Sequence, residues 1–202
     1  MKNFNYQRGT NLIFGQERIS ELASEIKKYT NKKILMTYGG GSVKKIGLYN
    51  KVIEELNKHN IEFIELGGIK PNPEIYTADQ GAKLIKEHQI DFILAVGGGS
   101  VLDNTKHMAI ASKSELSSWE LLNNPKVVGE LANLPKIGSI ITLAATGSEM
   151  NFGGVLSNPE VNEKKAMFHP ETTPVFTFED PTLLYNLPEI QRRAGVADML
   201  SH

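Results

Sequence analysis

Short apolar runs alternate with amphipathic stretches along this chain, the pattern of an α/β protein. Residues 16–29 carry Ile19, Leu22, Ala23 and Ile26 at helical spacing. The pattern then predicts a strand over 33–38 and a helix over 43–59 whose inner face includes Val52, Ile53 and Leu56. A second strand is predicted over 61–66, and a helix over 73–88 with Ala78, Ala82 and Ile85 on one side. Residues 91–96 form a nearly unbroken apolar run, as in a central parallel strand covered on both faces, and 101–112 follow as a helix. Residues 114–135 read as a polar connector and 137–143 as another buried strand. The 144–179 stretch, rich in Gly, Asn, Thr and Pro, suits hairpins or loops. Pro188 opens a final helix, since proline is favoured in a first helical turn.

Composition narrows the chemistry. With 202 residues, the chain is one large domain, or one domain and part of a second. Hydrophobic residues make up 40% and charged residues 22%, which suits a folded globule and not a disordered chain. The 22 basic and 23 acidic side chains nearly cancel, which argues against a nucleic-acid partner. Zero Cys excludes disulfides, Cys-based zinc sites, iron–sulfur clusters and a Cys nucleophile. The polar start lacks the apolar core of a secretory signal, and the apolar runs fall far short of the ~20 residues of a membrane helix. The expectation is a cytoplasmic protein with no membrane partner.

The sequence Gly-Gly-Gly-Ser occurs twice, at 39–42 and 97–100, each time between an apolar strand and a helix. Glycines let backbone approach a ligand closely; the Ser can cap the helix, whose first amides bind anions. Neither loop matches the G-x-G-x-x-G fingerprint or the P-loop. Two such loops at the ends of adjacent predicted strands point to a phosphate-bearing ligand and weigh against a pair of plain turns. Lys44 and Lys45 follow the first loop, and no acid lies near it in the chain. Gly41, Ser42 and these lysines suit an adenosine 2′-phosphate, against the plainer reading of solvated helix lysines. Asp103, expected in the first turn of the helix after the second loop, either faces the helix dipole or bonds a polar cofactor group. Residues 142–149 place Thr142, Thr146, Ser148 and Glu149 after the last buried strand, as a polar ligand patch or as a turn with local capping. Asp198 and His202 share one face of the final helix, as a metal-ligand pair or as an ordinary surface pair. Lys106, His107, Trp119, His59 and His88 join no constellation and read as structural or surface residues.

Taken together, TYGGGSVKK at 37–45, GGIKPNPE at 67–74, FILAVGGGSVLDNTKHMA at 92–109, TLAATGSEMN at 142–151, DPTLLYNLP at 180–188 and AGVADMLSH at 194–202 resemble the iron-containing, metal-dependent alcohol dehydrogenase family. The similarity is greatest to its NADPH-dependent butanol dehydrogenase and aldehyde reductase members. It is collinear over essentially the whole chain.

The resemblance implies a dehydroquinate-synthase-like, Rossmann-type fold, a mostly parallel sheet flanked by helices. It implies NADP(H), with Gly40, Gly41 and Ser42 at the 2′-phosphate and Gly98, Gly99 and Ser100 at the pyrophosphate. Asp103, Thr142, Thr146 and Ser148 then lie toward the nicotinamide, and Lys164 along the cofactor cleft. Asp198 and His202 match two ligands of a divalent metal, Fe²⁺ or Zn²⁺. Family members continue as a helical domain that supplies further His ligands. The chain therefore reads as a nucleotide-binding domain over 1–186 and the first helix of a second domain over 187–202. The implied reaction is reduction of aldehydes to primary alcohols, and its reverse. Two competing readings use the same loops: a non-catalytic NADP(H)-binding module, and a glycerol-dehydrogenase-like or dehydroquinate-synthase-like enzyme using NAD. The 3–14 segment, with Asn5, Arg8 and Asn11 as its polar positions, is expected to pair with a neighbour's sheet in a homodimer.

Overall fold

The computed structural model describes residues 9–185 and 187–201. Its strands are β1 (Asn11–Phe14), β2 (Ile34–Gly39), β3 (Phe63–Ile69), β4 (Phe92–Gly97), β5 (Lys136–Ile141), β6 (Gly153–Asn158), β7 (Glu163–Phe168) and β8 (Phe176–Glu179). Its helices are α1 (Leu22–Ile26), α2 (Ser42–Lys45), α3 (Leu48–Lys58), α4 (Ile75–Glu87), α5 (Gly99–Ala111), α6 (Ser118–Leu122), α7 (Pro125–Glu130) and α8 (Glu189–Ser201). Six strands form one sheet in the order β1-β8-β5-β4-β2-β3, and every neighbouring pair runs parallel. β6 and β7 form a separate antiparallel hairpin.

Two apolar layers cover the sheet. Phe92, Leu94 and Val96 of β4 face one side, where they meet Phe176 and Phe178 of β8, Leu22 and Ile26 of α1, and Val52 and Leu56 of α3. Ile93 and Ala95 face the other side, against Ala78, Ala82 and Ile85 of α4 and Val101, Leu102 and Met108 of α5. Every residue of β4 is buried, as the unbroken apolar run predicts for a strand covered on both faces.

Several predicted elements change. The helix expected over 16–29 shrinks to a 3₁₀ turn (Arg18–Glu21) and α1, because Glu17 sits at φ 57 and cannot belong to a right-handed helix. The helix expected over 43–59 is two helices, parted at Gly47, whose φ of 76 leaves the helical region. The connector over 114–135 contains α6 and α7. α6 starts on a reciprocal cap between Ser117 and Glu120, and α7 starts on Pro125. The largest difference is β8. The 144–179 stretch was expected to form hairpins or loops, yet 176–179 run through the sheet interior between β1 and β5. Phe176, Thr177 and Phe178 are all buried there, so a three-residue core run sits among turn-forming neighbours. At the sheet edge, Asn11–Phe14 pairs with β8 of its own chain; Asn3, Asn5 and Arg8 lie outside the described residues. Among the described residues no helix is long and apolar enough to cross a membrane.

α8 begins after Pro188, as expected, and touches the rest of the fold sparingly. Gly195 is its one buried described residue, and Ile190, Val196, Met199 and Leu200 are exposed.

Candidate functional site

All strands of the main sheet point the same way, so their carboxyl ends share one edge, where ligands of open α/β sheets bind. Tyr38 pairs with Val96, and Gly97 pairs with Ile141. The two glycine loops and the 142–149 segment therefore leave the sheet side by side.

In the first loop Gly41 has φ 131, a conformation that side-chain-bearing residues rarely adopt. A Cβ built on Gly40 or Gly41 meets nothing within 4 Å, so this face of the loop is open. Ser42 does not cap α2. The cap position is Gly41, with no side-chain hydrogen bond, and Ser42 is exposed as the first helical residue. Lys45 is exposed, while the Lys44 ammonium rests over the rings of Tyr38 and Tyr49, 5.0 and 4.5 Å from their centroids. Although no acid is near in the chain, the fold brings one in. The hydroxyls of Tyr38 and Tyr49 both donate to Glu65 of β3, each at 2.9 Å.

The second loop leads into α5. Its cap is Gly98, again with no side-chain hydrogen bond, and Ser100 lies inside the helix. The first amides of this 13-residue helix therefore face the open edge. A Cβ on Gly99 would lie 2.5 Å from Thr146 Oγ1, so the second loop and the 142–149 segment press closely together. Thr142 lies just behind them, its amide donating to Gly97 O at 3.1 Å.

Beyond Thr146 opens a cleft of about 480 Å³ lined by Asp103, Thr146, Ser148, Asn151, Phe152, Phe168 and Asp198, with the backbone of 153–155. α5 starts earlier than the sequence suggests, so Asp103 sits in its second turn and not its first. There its carboxylate accepts from Ser148 Oγ at 2.7 Å and from the Val155 amide at 3.1 Å. Burial pushes the Asp103 pKa up, and these two hydrogen bonds oppose that push. Ser148 is buried, and its amide reaches back to Thr146 Oγ1 at 3.4 Å, so this segment contains both the local turn and the polar patch. Lys164 is exposed on β7 outside the cleft lining, and its ammonium donates to Asn72 Oδ1 at 2.6 Å.

Lys106 is the residue that sequence reasoning passed over. It is buried, and its ammonium donates to oxygens of Ser148, Asn151 and Gly153. Burial pulls its pKa down to about 8, with Asp103 and Glu149 pulling it back up. The signal in the sequence was the D-x-x-K spacing, which puts Asp103 and Lys106 on one helix face.

His107 is fully buried beside the Gly154 backbone, and neither ring nitrogen has a well-formed hydrogen bond. Burial lowers its pKa from 6.5 to about 4, and Lys106 pushes the same way. The folded protein thus resists this proton more than the unfolded chain does. Stability is full above pH 6.5 and falls as the pH drops from 6.5 toward 4. The loss is expected to reach about 2 kcal/mol near pH 5. Urea midpoints at pH 7 and pH 5, compared with those of His107→Leu, measure it; equal pH slopes in both proteins contradict it.

The parts fit a dinucleotide: an open glycine face, an uncapped helix start and a polar cleft in one row. They do not by themselves fit a metal. Asp198 is half-buried and lines the cleft, but His202 lies outside the described residues. Among the described residues no group of three His, Asp or Glu side chains is placed to hold an ion.

The family model for iron-containing alcohol dehydrogenase matches residues 9–181. The chain is 41% identical over 202 residues to NADH-dependent butanol dehydrogenase B of Clostridium acetobutylicum. It is 39% identical over 204 residues to NADPH-dependent aldehyde reductase YqhD of Escherichia coli. Each match covers 100% of this chain and 51% of the relative. The crystal structure of NADH-dependent butanol dehydrogenase A from Thermotoga maritima superposes with a TM-score of 0.88 at 33% identity, covering 100% of this chain and 50% of that one. The chain thus spans about half the length of the relatives it matches. With its parallel sheet, paired glycine loops and the cleft beside them, the chain belongs to the iron-containing alcohol dehydrogenase family.

Proposed function

We propose that this chain holds the nicotinamide cofactor of an oxidoreductase that interconverts aldehydes and primary alcohols. The observation that carries this reading is the row of two glycine loops and the cleft at one sheet edge, in a chain of this family. The first loop takes the adenosine end through Gly40, Gly41 and Ser42. The start of α5, with Gly98, Gly99 and Ser100, holds the pyrophosphate by its amides and dipole. Asp103, Thr142, Thr146 and Ser148 orient the nicotinamide end. Bound there, the cofactor supplies the hydride; the protein supplies orientation and electrostatics. Asp198 and His202 remain our candidates for part of a divalent-metal site. No step is assigned to that metal, because the described residues do not complete its shell.

The cofactor we favour is NADP(H). The relatives divide, since the butanol dehydrogenases are named NADH-dependent and the aldehyde reductase NADPH-dependent. Near the first loop of this chain Glu65 already accepts from the hydroxyls of Tyr38 and Tyr49. Ser42 and Lys45 are exposed beside the open glycines and suit a 2′-phosphate. Fluorescence titration of the full-length protein tests both levels of the reading. NADPH is expected to bind more tightly than NADH; the reverse order overturns the NADP(H) assignment, and no binding of either overturns the site. Gly41→Val forces a side chain into a left-handed position and fills the open face, and is expected to weaken NADPH binding about tenfold. Unchanged binding would remove the first loop from the site.

A further inference from the structure

The Lys106 ammonium is enclosed by five oxygens, not paired with one acid. They are Ser148 O at 2.7 Å and Oγ at 2.9 Å, Asn151 O and Oδ1 both at 2.9 Å, and Gly153 O at 2.7 Å. An ammonium donates and cannot accept. Its three protons are shared among these five oxygens, and where the Ser148 hydroxyl accepts one, its own proton is left for Asp103 Oδ1 at 2.7 Å. The other Asp103 oxygen takes the Val155 amide, two residues beyond the carbonyl of Gly153 that Lys106 also holds. One partner of the carboxylate, Ser148, thus touches the buried cation directly, and the other, Val155, follows a residue that the cation holds. Without it, the Ser148 hydroxyl loses one of its two partners, and the segment from Ser148 to Gly153 loses the ammonium that ties it to α5.

The geometry points to Lys106 as a positioning residue: acting through Ser148, it fixes the orientation and hydrogen bonding of Asp103 at the nicotinamide end of the cleft. The charged groups around this network are Asp103 and Glu149, which favour the ammonium, and Lys164, which favours the ionised Asp103. The consequence for cofactor binding rests on the function proposed above, whereas the coupling of Lys106 to Asp103 does not.

A mutant cycle in the full-length protein tests the inference with Ser148→Ala, Lys106→Met and the double variant. NADPH affinity is read by fluorescence, and the Asp103 carboxyl titration by carbon NMR of the nucleotide-free protein. Each single variant is expected to weaken NADPH binding about tenfold, and the double variant by no more than about tenfold, because all three break one chain of bonds. Each is also expected to move the Asp103 midpoint upward, since a bond to the ionised form is lost. Losses that multiply to about a hundredfold in the double variant overturn the inference. So does a Ser148→Ala protein in which the Asp103 midpoint stays put; that variant leaves the buried cation in place and serves even where Lys106→Met does not fold. If the parent protein binds no nucleotide while the Asp103 midpoint moves as stated, the coupling stands and the cofactor reading fails.

Discussion

Gly138→Ala in the full-length protein is expected to lower stability by about 3 kcal/mol, with a downward shift in melting temperature. Gly138 lies in β5, where it pairs with Leu94 of β4 on one side and Phe176 of β8 on the other. A Cβ built on it runs into the Phe176 ring, with Cε2 at 2.6 Å, and lies 2.8 Å from Phe92 Cζ. Neither ring has room to retreat. Phe92 and Phe176 stack with centroids 5.8 Å apart, Phe178 meets Phe176 edge-on at 5.7 Å, and all three are buried. The missing side chain of Gly138 is the space that Phe176 fills, so an added methyl must push the rings off the sheet face into the close-packed layer of α1 and α3. A β-branched residue at the same site is expected to prevent folding. Thermal and urea unfolding measure the effect; an unchanged midpoint would mean that the ring cluster rearranges at little cost.

The same cluster shows what could be read from the chain. The run from Phe92 to Gly97 announces a central strand because no polar residue interrupts it, and the glycine loops announce a ligand edge because each follows such a run. β8 carries a comparable burden in the core, but it has four residues and lies between Pro174 and Asp180, so local composition speaks for a loop. Phe176 is a core residue because β8 lies between β1 and β5 and its ring fills the space over Gly138, which a strand far away in the chain contributes. Lys106 escaped notice for a related reason. A lysine is by default a surface residue, and its five acceptors come from a segment some 40 positions later that has no regular pattern of its own. Glu65 is similar: it meets the first loop only because β3 lies beside β2. For Lys106 and Glu65 the local pattern fixes the element and distant packing chooses the partner that gives the residue its role; for β8 distant packing chooses the element as well.

Gly195→Ala shows how such a distant contact is expected to govern function. α8 approaches the sheet edge through Gly195, and a Cβ there would lie 2.5 Å from the carbonyl oxygen of Ala144. The obstacle is backbone, and it belongs to the segment that follows β5, so no side chain can swing aside. The helix must move outward, by an amount on the order of 1 Å. Asp198 is one turn further along α8 and lines the cleft with Asp103, Thr146 and Ser148, so it moves with the helix. If that cleft is where alcohol and cofactor meet, turnover of the full-length protein is expected to fall about a hundredfold, the scale set by a 1 Å misplacement of reacting groups. NADPH affinity is expected to change little, because the glycine loops and the start of α5 lie on other elements. The fold is expected to persist as well, since alanine is about 1 kcal/mol better than glycine within a helix and offsets part of the clash. Steady-state turnover, nucleotide titration and melting, all on one preparation, separate these effects. Equal loss of nucleotide binding would place the damage in the sheet edge itself, and undiminished turnover would show that the seat of α8 on Ala144 does not set the geometry of the cleft.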